Sequence, residues 1–197
     1  ESPAPHLDDG QRARLWGTAR QIARLFDFQG VGTVEFLMDR GGTFYFTEIK
    51  PRIVQPHPVT EMVTRVDLVA LQIALAAGEP LRLRQEDIRL RGWAMQCRVS
   101  AEDPWNDYLP SPGTVRHYRV PGGAHIRIDS YACAGCQVPV DYDPILAKLV
   151  VWGETRAVCL RRMRRALDEF VVRGVATNLT LLRQVIEHPD VVRGEYH

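Results

Sequence analysis

The apolar positions of the chain change texture near its middle. Leu15, Ala19, Ile22, Ala23 and Phe26 recur at three- and four-residue spacing behind Asp8 and Asp9, which predicts an amphipathic helix with an acidic cap. Two runs rich in β-branched and aromatic residues follow, 30–39 and 44–49, on either side of Arg40-Gly-Gly-Thr43, and predict a β-hairpin. Residues 50–58 contain three prolines and no period, as a surface loop does. Residues 59–63 and 67–77 then carry helical stripes, the second ending at Gly78. A polar, arginine-rich stretch from 79 to 91 precedes four strand-like runs, 92–101, 113–120, 125–130 and 145–152, separated by Pro- and Gly-rich turns. A long helix over 154–171 directs Leu160, Met163, Ala166, Leu167 and Phe170 inward, and a last helix over 179–187 precedes a tail. The expectation is an α+β chain with a domain boundary near residue 90, hence domains 1–90 and 91–197.

Composition removes several function classes. At 197 residues, with 45% hydrophobic and 25% charged residues, the chain is of ordinary globular type, and no apolar run approaches the ~20 residues that cross a bilayer. The 25 basic and 24 acidic residues nearly cancel, so charge offers no case for nucleic acid or an anionic membrane as partner. Among those basic residues only Lys50 and Lys148 are lysines, so each stands out. Four cysteines, with a single Cys-x-x-Cys at Cys133 and Cys136, make neither a disulfide scaffold nor a zinc site, and a reduced cytoplasm is expected. The segment Glu1-Ser-Pro-Ala-Pro-His6 has no secretory or transit pattern, and Arg193-Gly-Glu-Tyr-His197 stops abruptly, so a piece of a longer protein is expected.

The hairpin holds the first candidate chemistry. With Gly41 and Gly42 as a two-residue loop, Glu35 falls directly opposite Glu48. Cross-strand neighbours on one face lie ~5 Å apart, and like charges there are unfavourable unless a positive charge joins them. Two such carboxylates suit a hard cation, Mg²⁺ or Mn²⁺ completed by nucleotide phosphate oxygens, although an exposed strand face with two solvated glutamates has the same pattern. Leu37 shares their face and could line a base or sugar. Lys50 continues the alternation from Glu48, and Arg52 follows it into the loop, so cations extend the acidic pair toward an oxyanion. His57, between Pro56 and Pro58, reads more readily as a packing residue at the next helix than as an orienting histidine.

Gly32-Thr-Val-Glu-Phe-Leu37, Pro51-Arg-Ile53, His57-Pro-Val-Thr-Glu-Met62, Cys97-Arg98, Ala101-Glu-Asp-Pro104, Pro110-Ser-Pro-Gly113 and Lys148-Leu149 resemble biotin carboxylase, and the resemblance runs the length of the chain. It implies the C-terminal part of an ATP-grasp domain followed by the C-terminal domain of that family. The implied reaction makes carboxybiotin from ATP, bicarbonate and biotin on a carrier protein, through carboxyphosphate, with a carboxyltransferase as the further partner. The resemblance makes Glu35 and Glu48 the ligands of the divalent metal on ATP and places Leu37 against adenine. It puts Arg52 on bicarbonate and Arg98 on the biotin enolate and carboxyphosphate, and Arg127 in a segment that meets the other protomer of a homodimer. Ala124 stands where a dimer-contact phenylalanine is frequent.

The chain departs from the family pattern in the loop after the hairpin. The family reads Glu-Met-Asn-Pro-Arg-Ile-Gln-Val-Glu-His-Pro where this chain reads Glu48-Ile-Lys-Pro-Arg-Ile-Val-Gln-Pro-His-Pro58. By the resemblance, Lys50 replaces an asparagine beside the metal, Val54 a glutamine that contacts bicarbonate, and Pro56 the general base. Proline accepts no proton, so either another group serves or the chemistry is crippled. An ammonium at residue 50 could also neutralise Glu35 and Glu48 and take the metal's place. Three functions follow: a biotin carboxylase component, a non-catalytic relative kept for assembly, or an ATP-grasp ligase acting on a different acid. Cys133 and Cys136 read as incidental thiols, Arg161-Arg-Met-Arg-Arg165 as a solvated helix face, and the four tryptophans as packing residues.

Overall fold

The computed structural model describes residues 1–196, and the chain divides into two compact units, Ala4–Arg89 and Glu1–Pro3 with Leu90–His197. The first unit opens with α1, Asp9–Leu25. Asp8 Oδ1 accepts the Gln11 N–H at 2.7 Å and Gln11 Oε1 accepts the Asp8 N–H at 2.9 Å, a reciprocal cap that satisfies two otherwise orphan donors. The hairpin is β1, Thr33–Met38, paired antiparallel with β2, Phe44–Lys50. Two helices complete the unit, α2 over His57–Thr64 and α3 over Leu68–Ala76, the latter capped by Asp67 at its start.

The second unit is built on a three-stranded antiparallel sheet. Its central strand is flanked by β3, Trp93–Ser100, and β4, Ile126–Ser130; the central strand is β5, Ile145–Gly153. Alternation along β5 sends Ala147, Leu149 and Val151 to one face, where they meet Leu160, Met163, Ala166, Leu167 and Phe170 from α4, Arg156–Glu169, and its C-cap. All of these are buried, and Met163, Leu167 and Leu149 are wholly so. The helix α5, Leu179–Glu187, adds Leu179 and Ile186 to the same core. Asn178 ties this helix to the sheet: its Oδ1 accepts the Ser100 N–H and its Nδ2 donates to the Arg98 carbonyl, both at 3.0 Å.

Three details differ from the sequence reading. The run 113–120 does not form one strand. Gly113–Thr114 pairs with Gln137–Val138, and His117–Arg119 pairs with Val171–Arg173, because the chain changes partner at Val115 and Arg116. Gly174 permits that crossing: its φ is +106°, and a Cβ there would lie 2.2 Å from the Thr114 carbonyl oxygen. The tail is also ordered, as α6 over Pro189–Arg193, ended by Gly194 in the left-handed region. Arg156 fastens it by donating to the Val191 and Val192 carbonyls. Finally, Glu1–Pro3 joins the second unit: Ser2 and Ala94 exchange backbone hydrogen bonds of 2.8 Å, and the Glu1 carboxylate receives Arg156 at 2.8 and 2.9 Å.

Removal of Asn178 orphans a buried strand N–H and a carbonyl at once. The variant Asn178→Ala is expected to lower the stability of the full-length protein by about 2–4 kcal/mol in urea unfolding, whereas an exposed polar change such as Gln184→Ala leaves it within about 0.5 kcal/mol.

Candidate functional site

The acidic pair owes its geometry to a β-bulge. The turn holds three residues between Asp39 and Thr43, rather than the expected two: Asp39 N–H bonds the Thr43 carbonyl at 3.0 Å, and Gly42 adopts φ +81°. That shifts the pairs nearest the turn by one, so that Phe36 faces Phe46 and Leu37 faces Tyr45. An irregularity between Glu35 and Phe36 absorbs the shift: Thr47 is the extra residue of β2, its hydroxyl donates to the Glu35 carbonyl at 2.9 Å, and beyond it Glu35 lies opposite Glu48 and Thr33 opposite Lys50. The bulge therefore sorts two chemistries onto two faces. Phe46 joins Phe36 edge to face with ring centroids 6.3 Å apart, while Glu48 and Lys50 share the face of Glu35.

Lys50 closes the site electrically. Its ammonium lies 2.5 Å from Glu35 Oε1 and 3.3 Å from Glu48 Oε1. The hydrogen bond from Lys50 holds the Glu35 carboxyl below the ordinary carboxylate range, and the same bond raises the Lys50 ammonium above its own ordinary value. Leu37 lies on this face and is largely exposed.

The loop after Pro51 is bolted from behind. His57, the first residue of α2, makes a 2.9 Å hydrogen bond from Nδ1 to the Val54 carbonyl, and its Nε2 lies 4.0 Å from Glu61 Oε2. Glu61 is buried, and its other oxygen accepts the Leu68 N–H at 2.7 Å, which joins α2 to the start of α3. His57 is thus a packing and orienting residue of the loop. The Arg52 side chain is exposed and donates one N–H to the Ile53 carbonyl at 3.1 Å. Pro56 sits at the N-cap of α2 without a side-chain cap bond, and Val54 is half-buried.

Arg98 belongs to the second unit. It is exposed on β3, on the sheet face opposite the α4 core, and stands across from Lys148, which stands across from Asp129. Burial alone would raise the Asp129 carboxyl, but hydrogen bonds from Arg127 at 2.7 and 3.0 Å and the Lys148 ammonium at 3.4 Å outweigh it and hold the group low. The structure therefore assembles Glu35, Glu48 and Lys50, places Arg52 in the next loop, and sets Arg98 in a basic and acidic row on another sheet. Cys97 and Cys159 are inert thiols that burial pushes up to about 12, while Cys133 and Cys136 are unpaired by any disulfide.

A divalent cation bridging Glu35 and Glu48 tests the donor set. Two carboxylates have the right hardness for Mg²⁺ or Mn²⁺, but here the Lys50 ammonium already spans both. As arranged, the pair does not fit the ion.

Residues 1–84 match the model described as carbamoyl-phosphate synthase L chain, ATP binding domain, and residues 96–197 match the biotin carboxylase C-terminal domain. The hairpin and helices of the first unit are thus part of an ATP-grasp protein. The chain belongs to the biotin carboxylase family. It is 45% identical to a biotin carboxylase of Nostoc sp. over 98% of its length, and spans 43% of that protein. It is 42% identical over its full length to biotin carboxylase 1 of Bacillus subtilis, of which it spans 44%. The biotin carboxylase domain dimer of Hydrogenobacter thermophilus 2-oxoglutarate carboxylase, in complex with MgADP, ADP and bicarbonate, matches with a TM-score of 0.97 at 40% identity, over 99% of this chain and 43% of that one. The chain spans less than half the length of these relatives. No helix among the described residues is long and apolar enough to cross a membrane.

The Arg98–Lys148–Asp129 row escaped the sequence reading because it needs the registers of two strand pairs far apart in the chain. A folded carboxyl held low contributes stability that is complete above the unfolded value of about 3.9 and is lost as pH falls through the lower folded value. In an NMR titration of the Asp129 carboxyl, the wild-type midpoint is expected below that value, and Arg127→Ala is expected to move it upward; an unmoved midpoint contradicts the assignment of Arg127 as the main opposing charge.

Proposed function

We propose that this chain supplies the bicarbonate- and phosphate-handling part of a biotin carboxylase component, in which ATP and bicarbonate carboxylate biotin on a carrier protein by way of carboxyphosphate. The observation that carries this reading is the exposed Arg52 guanidinium on a loop fixed by His57 and Glu61, immediately after the charged hairpin face. Arg52 uses one donor locally, which leaves the planar fork for the two oxygens of bicarbonate or carboxyphosphate. Arg98, on a strand held by Asn178 and the helix-covered core, is the preorganised positive charge for the carboxyphosphate and the biotin enolate, where charge stabilisation is a large part of catalysis. Leu37, Glu35 and Glu48 form the nucleotide-facing surface. Residues 1–90 are the C-terminal part of the ATP-grasp domain and residues 91–197 the family's C-terminal domain. A reduced cytoplasm, a carboxyltransferase partner and a homodimer involving the Arg127 segment complete the proposal.

Deprotonation of bicarbonate is the weak step. Pro56 offers no proton acceptor, and loss of a general base lowers a rate by ~10² to 10⁴. The same residue favours a second reading, a non-catalytic protein retained for assembly. Full-length protein is expected to hydrolyse ATP slowly in the presence of bicarbonate and biotin, and a Pro56→Glu, Val54→Gln variant at least about a hundredfold faster, with Arg52→Ala abolishing both. Carrier capture with no bicarbonate-dependent hydrolysis by either protein establishes the assembly role instead. ADP release driven by another carboxylic acid and not by bicarbonate establishes a ligase of different specificity.

A further inference from the structure

We propose that the Lys50 ammonium is a tethered cation that takes the place of a divalent metal between Glu35 and Glu48 and presents its remaining donor to nucleotide phosphate. The proposal rests on the reading that this hairpin face meets the nucleotide. Glu35 and Glu48 are directly opposed on the ladder, a placement that is unfavourable for like charges without a positive charge between them. The chain provides that charge at 2.5 and 3.3 Å, from the strand residue diagonal to Glu35. Lys50 is not a loose surface side chain. It ends β2 in register with Thr33, is followed by Pro51, whose ring fixes the backbone, and keeps only 30% of its side chain exposed. A divalent ion bound to the same two oxygens would stand beside this ammonium, and the two cations would repel.

The ammonium carries three donors, of which the two carboxylates use two. The third is available to a phosphoryl oxygen, which lysine binds as a point charge. A divalent ion would cancel the two negative charges of the pair, whereas the ammonium cancels one. The pair therefore works as a fixed anchor for one phosphate oxygen rather than as an exchangeable metal site.

The test counts Mn²⁺ bound to the full-length protein by the loss of the free-ion electron paramagnetic resonance signal, with and without saturating ADP. Lys50→Asn, with Lys50→Gln as a second version, is expected to bind about one more Mn²⁺ per chain than wild type in the presence of ADP. Glu35→Gln, in the wild-type background, is expected to leave the count unchanged. An equal count in wild type and both Lys50 variants, or a count that drops by one in Glu35→Gln, overturns the proposal, and the second criterion stands even if the Lys50 variants do not fold. ADP binding is measured separately. Failure of the protein to bind ADP defeats the proposed function, while the Mn²⁺ count without nucleotide still decides what occupies the pair.

Discussion

Two carboxylates set directly opposite each other on an antiparallel ladder repel, and the hairpin of this protein carries a cation that offsets the repulsion. Lys50 supplies it from the same strand as Glu48, two residues on, which is the shortest route that returns a side chain to one face. A bulge at Thr47 keeps the neighbouring aromatic side chain off that face. Were Thr47 an ordinary ladder residue, Phe46 and Glu48 would fall on the same face by alternation, and Phe46 would crowd the charged cluster instead of joining Phe36. The bulge thus separates an apolar contact from an ionic one, and the loop that follows inherits its starting direction from that choice.

The two arginines proposed to act on the oxyanions are held in place by different physics. Arg52 depends on a relay of polar contacts, from the Val54 carbonyl through His57 and Glu61 to the Leu68 N–H, in a unit whose first helix has no fully buried residue. Arg98 lies on a strand whose alternate residues, Cys97 and Val99, are sealed beneath α4, and whose carbonyl is pinned by Asn178. The first scaffold is fixed by a few polar contacts. The second is a packed sheet, which resists displacement because any shift opens a cavity or orphans a hydrogen bond.

Much of this was legible from local pattern. The capped first helix, the hairpin, the inward stripe of α4 and the Glu35–Glu48 pairing all follow from spacing, since each depends on residues close in sequence. The pairing does not depend on the turn type: a two-residue loop and no bulge gives the same opposition as a three-residue loop with one bulge, because the two shifts cancel. The ordered tail had its signal, Pro189 at the first helical position and Gly194 just past the end, the asymmetry expected of a short helix. The division of 113–120 between two ladders had none, because the partners lie more than twenty residues away and alternation within a strand does not reveal which neighbour it will choose.

The charge balance of the hairpin bears on where anion affinity must come from. With Lys50 as the counter-charge, the Glu35–Glu48–Lys50 cluster stays net negative by one, so on its own it repels a polyphosphate at distance and holds one oxygen at contact. Affinity for anions then falls to guanidinium groups, which remain charged at any working pH and carry planar donors suited to oxyanions. A chain with 25 basic residues of which two are lysines is well furnished for that division. In the proposed arrangement anion recognition belongs to arginine, and one ammonium, compact and rotatable about its own donors, serves the place where two carboxylates and one phosphate oxygen converge.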